Sequence, residues 1–208
     1  MQRARTQEAK EDRRAAFAAA ALEEFFEKGF TAARMEDIAR RAGFSKGALY
    51  LYFDSKEALF EAVVENFAMP NVERLEAAAA ASESANQVID ALISLAPAII
   101  RGGQIPKIAK ILIGDATAFP AMTTAYRKKI IERILAVITR VLTKAKTAGE
   151  IEVENPALTV RLIIAPVIMS AIWRILFEHD PEARLDLDAL FSQHAIYLKR
   201  ALRMEGAS

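Results

Sequence analysis

Residues 35–53 read MEDIARRAGFSKGALYLYF. The stretch has the plan of a helix-turn-helix: a short helix over about Met35 to Arg41, a turn at Gly43, and a second short helix after Ser45. The Ser45 hydroxyl can cap that second helix. Ile38, Ala39, Leu49 and Phe53 can form its small core. From Ile38 to Phe53 there are three bases, Arg40, Arg41 and Lys46, and no acid. That is a locally basic patch where a DNA phosphate would lie. Gly47 and Ala48 are small enough to let a helix approach base edges. Tyr50 and Tyr52 can donate to phosphates. The plan alone is weak evidence, because three-helix packing without DNA gives similar patterns.

Working outward, the chain reads as helix on both sides. Upstream, Phe17, Ala18, Ala21, Leu22 and Phe25 share one face of a helix over about residues 8–28, which Gly29 stops. Downstream, Asp54 is expected to cap a helix with Glu57 three residues on, as in a capping box. That helix carries Leu59, Phe60, Val63, Val64 and Phe67, and Pro70 kinks or breaks it. Further helices are expected over 86–100 (bent or broken at Pro97), 106–117, 123–146, 156–178 and 186–203. Residues 150–154 alternate like a strand but have no hairpin partner, so a linker is the better reading. The segment 156–178 is apolar nearly all round and must be covered on both sides.

Composition narrows the function. The chain has 208 residues, 53% hydrophobic and 26% charged, which is a globular composition. It has no cysteine and a net charge of +1, so thiolate metal sites, cysteine nucleophiles and basic-tail binding are excluded. The least polar stretch, between Arg161 and Arg174, falls short of the roughly 20 apolar residues of a membrane span. The N-terminus has no signal-peptide pattern, and a cytoplasmic location is expected. Gly43-Phe44-Ser45-Lys46-Gly47 fits the hydrolase pattern G-x-S-x-G, but that motif needs a strand before the serine and residues 36–42 read as helix. His179 and His194 are the only histidines. Neither sits in a Glu-x-x-His ligand pair. No catalytic residue, metal site or cofactor is expected, and the chain is not read as an enzyme.

Gly29-Phe30, Met35 to Ala39, Ala42 to Gly47, Leu49 to Phe53 and Ser55 to Leu59 closely resemble the N-terminal signature of the TetR family of transcriptional repressors. The resemblance covers about residues 10–65. It implies an all-α protein with an N-terminal three-helix helix-turn-helix head, residues 1–54, and a larger C-terminal helical domain, residues 55–208, for ligand binding and dimerisation. By the same resemblance, Ser45, Lys46, Gly47 and Ala48 would face the major groove, and Tyr50, Tyr52 and Lys56 would hold phosphates. The family usually places a threonine before the second helix. This chain has Ala33 and Arg34 there, so a cap is lost unless Thr31 substitutes, and Arg34 would supply the phosphate contact. Phe44 stands where a smaller aliphatic residue is common.

The resemblance further implies a homodimer through helices near 156–178 and 186–203, which would cover the second face of 156–178. Two heads would then read double-stranded DNA at a palindromic operator, and a small-molecule effector, apolar or aromatic, would release it. Candidate effector contacts are Phe67, Phe119, Met122, Tyr126, Met169 and Trp173, with Asp115, Thr117 and Thr123 as polar groups that could orient a ligand. Most such residues are ordinary core in proteins generally. The alternative is a helical ligand-binding or interaction protein without DNA-binding activity.

Overall fold

The computed structural model describes residues 2–177 and 179–203, with side chains from residue 7 onward. Among the described residues all regular structure is helical, in eleven α-helices with one π-helical and one 3-10 turn. The chain packs as two compact units. One runs to Pro70 and takes in Lys107–Tyr126; the other holds Asn71–Pro106 and everything from Arg127 onward.

The first unit begins with α1 (Gln2–Lys28), α2 (Met35–Arg41), α3 (Lys46–Tyr50) and α4 (Lys56–Phe67). It is built on aromatic rings. Phe17 is fully buried and meets Phe44 at 5.1 Å, Tyr52 at 5.6 Å and Phe53 edge-on at 6.3 Å between ring centroids. The large Phe44 is therefore accommodated by stacking on Phe17. A second ring cluster joins Phe25, Phe30 and Phe60, with centroids 4.9–6.3 Å apart. Such tilted and edge-on pairs are favourable beyond their buried area.

Two helix starts depart from expectation. The cap of α4 is Ser55, whose hydroxyl accepts from Ala58 N at 3.1 Å; Asp54 lies one residue outside the helix. Either side chain can cap, and the register of the first turn selects the serine. The start of α2 has no side-chain cap at all. Arg34 occupies the capping position in extended conformation, and Thr31, the expected substitute, instead donates its hydroxyl to Asp115 at 2.9 Å. An Arg34→Ser variant should therefore be more stable than wild type by about 0.5–1 kcal/mol, seen as a higher urea midpoint at unchanged slope.

The second unit contains α5 (Met69–Ala81) from Asn71 on, α6 (Ala85–Arg101), α9 (Glu132–Ala148), α10 (Pro156–Phe177) and α11 (Leu187–Ala201). Its core is aliphatic: Val88, Ile89, Ile93 and Ile100 of α6 meet Ile138 and Leu142 of α9, Val160 and Ile163 of α10, and Phe191 and Leu198 of α11. Pro97 does not break α6, which runs on to Arg101 with Ala96 and Pro97 both buried. The predicted 123–146 helix is in fact α8 (Pro120–Tyr126), a π-helical turn at Arg127–Ile131, and α9. A π turn inserts an extra residue and so resets the helical face, which a constant 3.6 period misses. The predicted 106–117 helix is α7 (Gln104–Asp115). Residues 150–154 form the expected linker, pinned by Glu152 N to Leu202 O at 3.0 Å.

Helix α10 has 22 residues, and by length and composition alone it is apolar enough to cross a membrane. The sequence estimate was shorter because it stopped at Arg161 and Arg174, both of which lie inside the helix. The predicted end at Glu178 lies outside the described residues. Val160, Ile163, Ser170 and Ala171 face the unit's own core. Leu158, Leu162, Ile168, Met169 and Leu176 are exposed. Within the chain, α10 is thus covered on one side only.

Candidate nucleic-acid interface

The helix-turn-helix is assembled from local rules. Gly43 takes a φ of +79° at the turn, a conformation costly for residues with a Cβ. Ser45 then opens α3 in extended conformation, its hydroxyl accepting from Ala48 N at 3.2 Å. This serine is a helix cap following the helix α2, which is not the strand-borne setting a hydrolase nucleophile needs. Leu49 points inward and is fully buried. The other face of α3 is open: Ser45, Lys46 and Gly47 are exposed, Ala48 is half-buried, and Tyr50 is exposed. Leu51, just past the helix, is 84% exposed, an unusual position for a large apolar side chain in a well-packed head.

Gly47 is not demanded by packing. A Cβ built there meets only Ser45 Oγ, at 3.9 Å, an ordinary contact. Tyr52 is half-buried with its ring against Phe17. Lys56 lies differently from expectation. Its ammonium donates to the carbonyls of Phe30 and Thr31 at 2.8 and 2.9 Å and sits 5.1 Å from the Phe30 ring centre. Two of its three donors are thereby committed.

The basic patch is partly neutralised by acids close in space. Lys46 pairs with Glu36, and Arg40 with Asp37. Arg41 donates to Glu27 at 2.9 Å and lies 3.1 Å from Glu24. Glu36 is held below the ordinary carboxylate range by its hydrogen bond from Lys46, and Lys46 is raised by the same bond. Because Glu36 is lowered in the folded head, this pair supports the fold above the ordinary carboxylate range and stops doing so as pH falls through the lowered value. Arg34 is exposed and makes no ion pair among the described residues. A further base missed in the sequence is Arg14, stacked 4.7 Å over the Phe53 ring beside the end of the helix-turn-helix. Its spacing of three from Phe17 put it on the right face.

The candidate effector residues divide between the two units. In the first, Phe67 is half-buried, Phe119 is half-buried and edge-on to Phe30 at 4.7 Å, and Met122 is buried. Burial pushes the Tyr126 phenol up to about 12. Asp115 is buried and bonded to the turn after α1. Thr123 donates to Pro120 O at 3.0 Å. In the second unit, Met169 is 62% exposed on α10. Trp173 donates its indole N–H to Ala183 O at 2.6 Å and lines a groove of about 280 Å³ with Phe177, Arg101 and Arg184. His194 lies with its Nε2 3.1 Å from Ile163 O, a structural contact.

Residues 18–63, spanning the helix-turn-helix, match the family model of bacterial regulatory proteins of the tetR family, and residues 87–188 match that of the AefR-like transcriptional repressor C-terminal domain. The chain belongs to the TetR family. It is a DNA-binding transcriptional regulator. Its relatives include the HTH-type transcriptional regulator YfiR of Bacillus subtilis, 26% identical over 213 aligned positions, gaps included, that cover 96% of this chain and 97% of that one. The HTH-type regulator YvdT of the same organism is 38% identical over 74 residues, 36% of this chain and only 38% of YvdT. The fold is shared with SmeT of Stenotrophomonas maltophilia, in a structure with triclosan, at a TM-score of 0.79 and 22% identity over 95% of this chain and 94% of that one. SmeT is the repressor of a multidrug efflux pump.

Proposed function

We propose that this TetR-family regulator is a cytoplasmic, non-enzymatic repressor that binds a palindromic operator as a homodimer and releases it on binding a small apolar or aromatic effector. The observation that carries the DNA-reading half is the open face of α3: a capped helix whose small residues Gly47 and Ala48 are flanked by Lys46 and Tyr50, with no packing reason for the glycine. In this reading Ser45, Lys46, Gly47 and Ala48 face base edges. Arg34, Tyr50 and the Tyr52 hydroxyl take phosphates, and Lys56 keeps one donor for that purpose. On binding, Lys46 exchanges Glu36 for DNA, so part of the head's own ion pairing is given up.

The apolar faces of α10 and α11 support the homodimer. Leu158, Leu162, Met169 and Leu176 line one side of α10, and Ile196 and Tyr197 are exposed on α11. Two such helices from each subunit make a four-helix interface, which is the missing cover of α10. A dimer also places two recognition helices about 34–36 Å apart, one DNA turn. The aromatic and thioether side chains Phe67, Phe119, Met122 and Tyr126 of the first unit, and Trp173 and Met169 of the second, are the effector contacts this reading proposes, Met169 being also exposed on the face of α10 assigned to the partner. An effector that prefers heads spaced wrongly for DNA by 100-fold shifts release by about 2.7 kcal/mol.

Gly47→Ala tests the recognition helix. Alanine favours helix by about 1 kcal/mol over glycine, so the variant should be at least as stable as wild type, yet bind its operator about tenfold more weakly. Fluorescence anisotropy with a labelled duplex reads the affinity. An unchanged affinity would remove α3 from the groove. In the same assay, Arg34→Ser should lower the slope of log affinity against log salt by about 1.

A further inference from the structure

The turn that leads from α1 into α2 is held by groups from outside the three-helix head. Helix α1 ends with Gly29 at φ +80°, its N–H donating to Phe25 O at 2.9 Å. This is the simple αL ending, in which the glycine N–H makes the only return bond and the next N–H must find its acceptor elsewhere. Here the Phe30 N–H donates to Asp115 Oδ2 at 2.9 Å. Asp115 Oδ1 accepts both the Thr31 N–H at 3.3 Å and the Thr31 hydroxyl at 2.9 Å. Asp115 is the last residue of α7, some 85 positions along the chain, and is buried.

The opposite side of the same two residues is held by Lys56, which takes their carbonyls. The turn is therefore clamped at its donors by a carboxylate and at its acceptors by an ammonium. Around it α7 is fastened to α1: Lys107 donates to Glu23 at 2.6 Å, and Lys110 sits 4.0 Å from the Phe26 ring centre. The polar clamp adds direction, because hydrogen bonds to a buried carboxylate are short-ranged and angular. No side chain caps α2, so its entry angle is set by this turn.

We infer that Asp115 is a positioning residue for operator binding: by clamping Phe30 and Thr31 it sets the entry of α2 and hence the aim of α3. This rests on the reading of α3 as the recognition helix. The residue sits in Lys107–Tyr126, which also carries Phe119, Met122 and Tyr126.

The test compares wild type with Asp115→Ala, Asp115→Asn and Thr31→Val, the last removing only one of the three bonds. Amide hydrogen exchange is measured on the free proteins, and anisotropy on the selected operator and on a random duplex of equal length. With the clamp removed, amides of α2 and α3 should exchange at least about tenfold faster while those around Phe17 to Phe25 of α1 keep their protection. Operator affinity should fall about tenfold or more, with random-duplex affinity changed less than about twofold, because phosphate contacts tolerate a misaimed helix and base contacts do not. Asp115→Asn should be intermediate and Thr31→Val mild. A purely structural role would speed exchange in all helices alike and weaken both duplexes equally; that result, or wild-type exchange in α2 and α3 of Asp115→Ala, overturns the proposal. If no operator is enriched either with or without metabolite extract, the repressor reading fails, and unchanged exchange in α2 and α3 of Asp115→Ala then still overturns the ordering role of the clamp. If Asp115→Ala does not fold, Thr31→Val carries the same comparison.

Discussion

A Leu162→Glu, Met169→Glu double variant is expected to sediment as a monomer and to lose operator affinity by at least about 100-fold. Both side chains are exposed within the chain, Leu162 at 72% and Met169 at 62%, so the fold of the single subunit has little at stake. Far-ultraviolet circular dichroism should be unchanged. In a dimer the same positions face a partner's apolar helix. Two carboxylates per subunit then enter an apolar interface, where each buried charge costs several kcal/mol unless a cation pairs with it. The loss of DNA binding follows because a lone head keeps half of the base and phosphate contacts. If the variant remains dimeric, α10 does not form the subunit interface, and its exposed row of Leu158, Leu162, Met169 and Leu176 needs another cover.

The second large effect is expected in the head. Phe17→Ala should destabilise the protein by about 3–5 kcal/mol, a large share of the 5–15 kcal/mol typical of a domain. Phe17 is fully buried, and the rings of Phe44, Tyr52 and Phe53 rest on it. Those three residues lie on either side of α3, so the cavity opens beneath the helix proposed to read DNA. Urea denaturation followed by circular dichroism measures the loss. Operator binding should fail at urea concentrations where wild type still binds. Phe17→Leu keeps most of the volume and should cost less than half as much. A loss below about 1 kcal/mol for the alanine variant would mean that the ring cluster is not the foundation of the head.

Much of this was legible in the residues because it is local. The Ser45 cap, the Gly43 turn and the buried faces of α1 and α3 follow from spacing within one or two helical turns. Charge was less legible. Arg40, Arg41 and Lys46 form a run without acids in sequence, yet Asp37, Glu27 and Glu36 reach them across three, fourteen and ten positions. Only the crossing of α1, α2 and α3 brings the last two together. Asp115 was the hardest to place. A polar residue among apolar neighbours reads as a ligand contact, and nothing near it in sequence shows that two backbone N–H groups some 85 positions away need an acceptor. The loss of the cap on α2 was visible, but that Thr31 was already committed to Asp115 was not.

The reading of the chain as a sequence-specific, dimeric DNA-binding protein is tested most directly by selection of duplexes. The purified protein is offered a randomised duplex pool, and the best survivor is titrated by anisotropy at two salt concentrations, with and without a metabolite extract. Enrichment of a palindrome whose half-sites lie about one helical turn apart, with affinity falling steeply with salt, is the expected result for such a dimer. A pool that stays random under both conditions would contradict it.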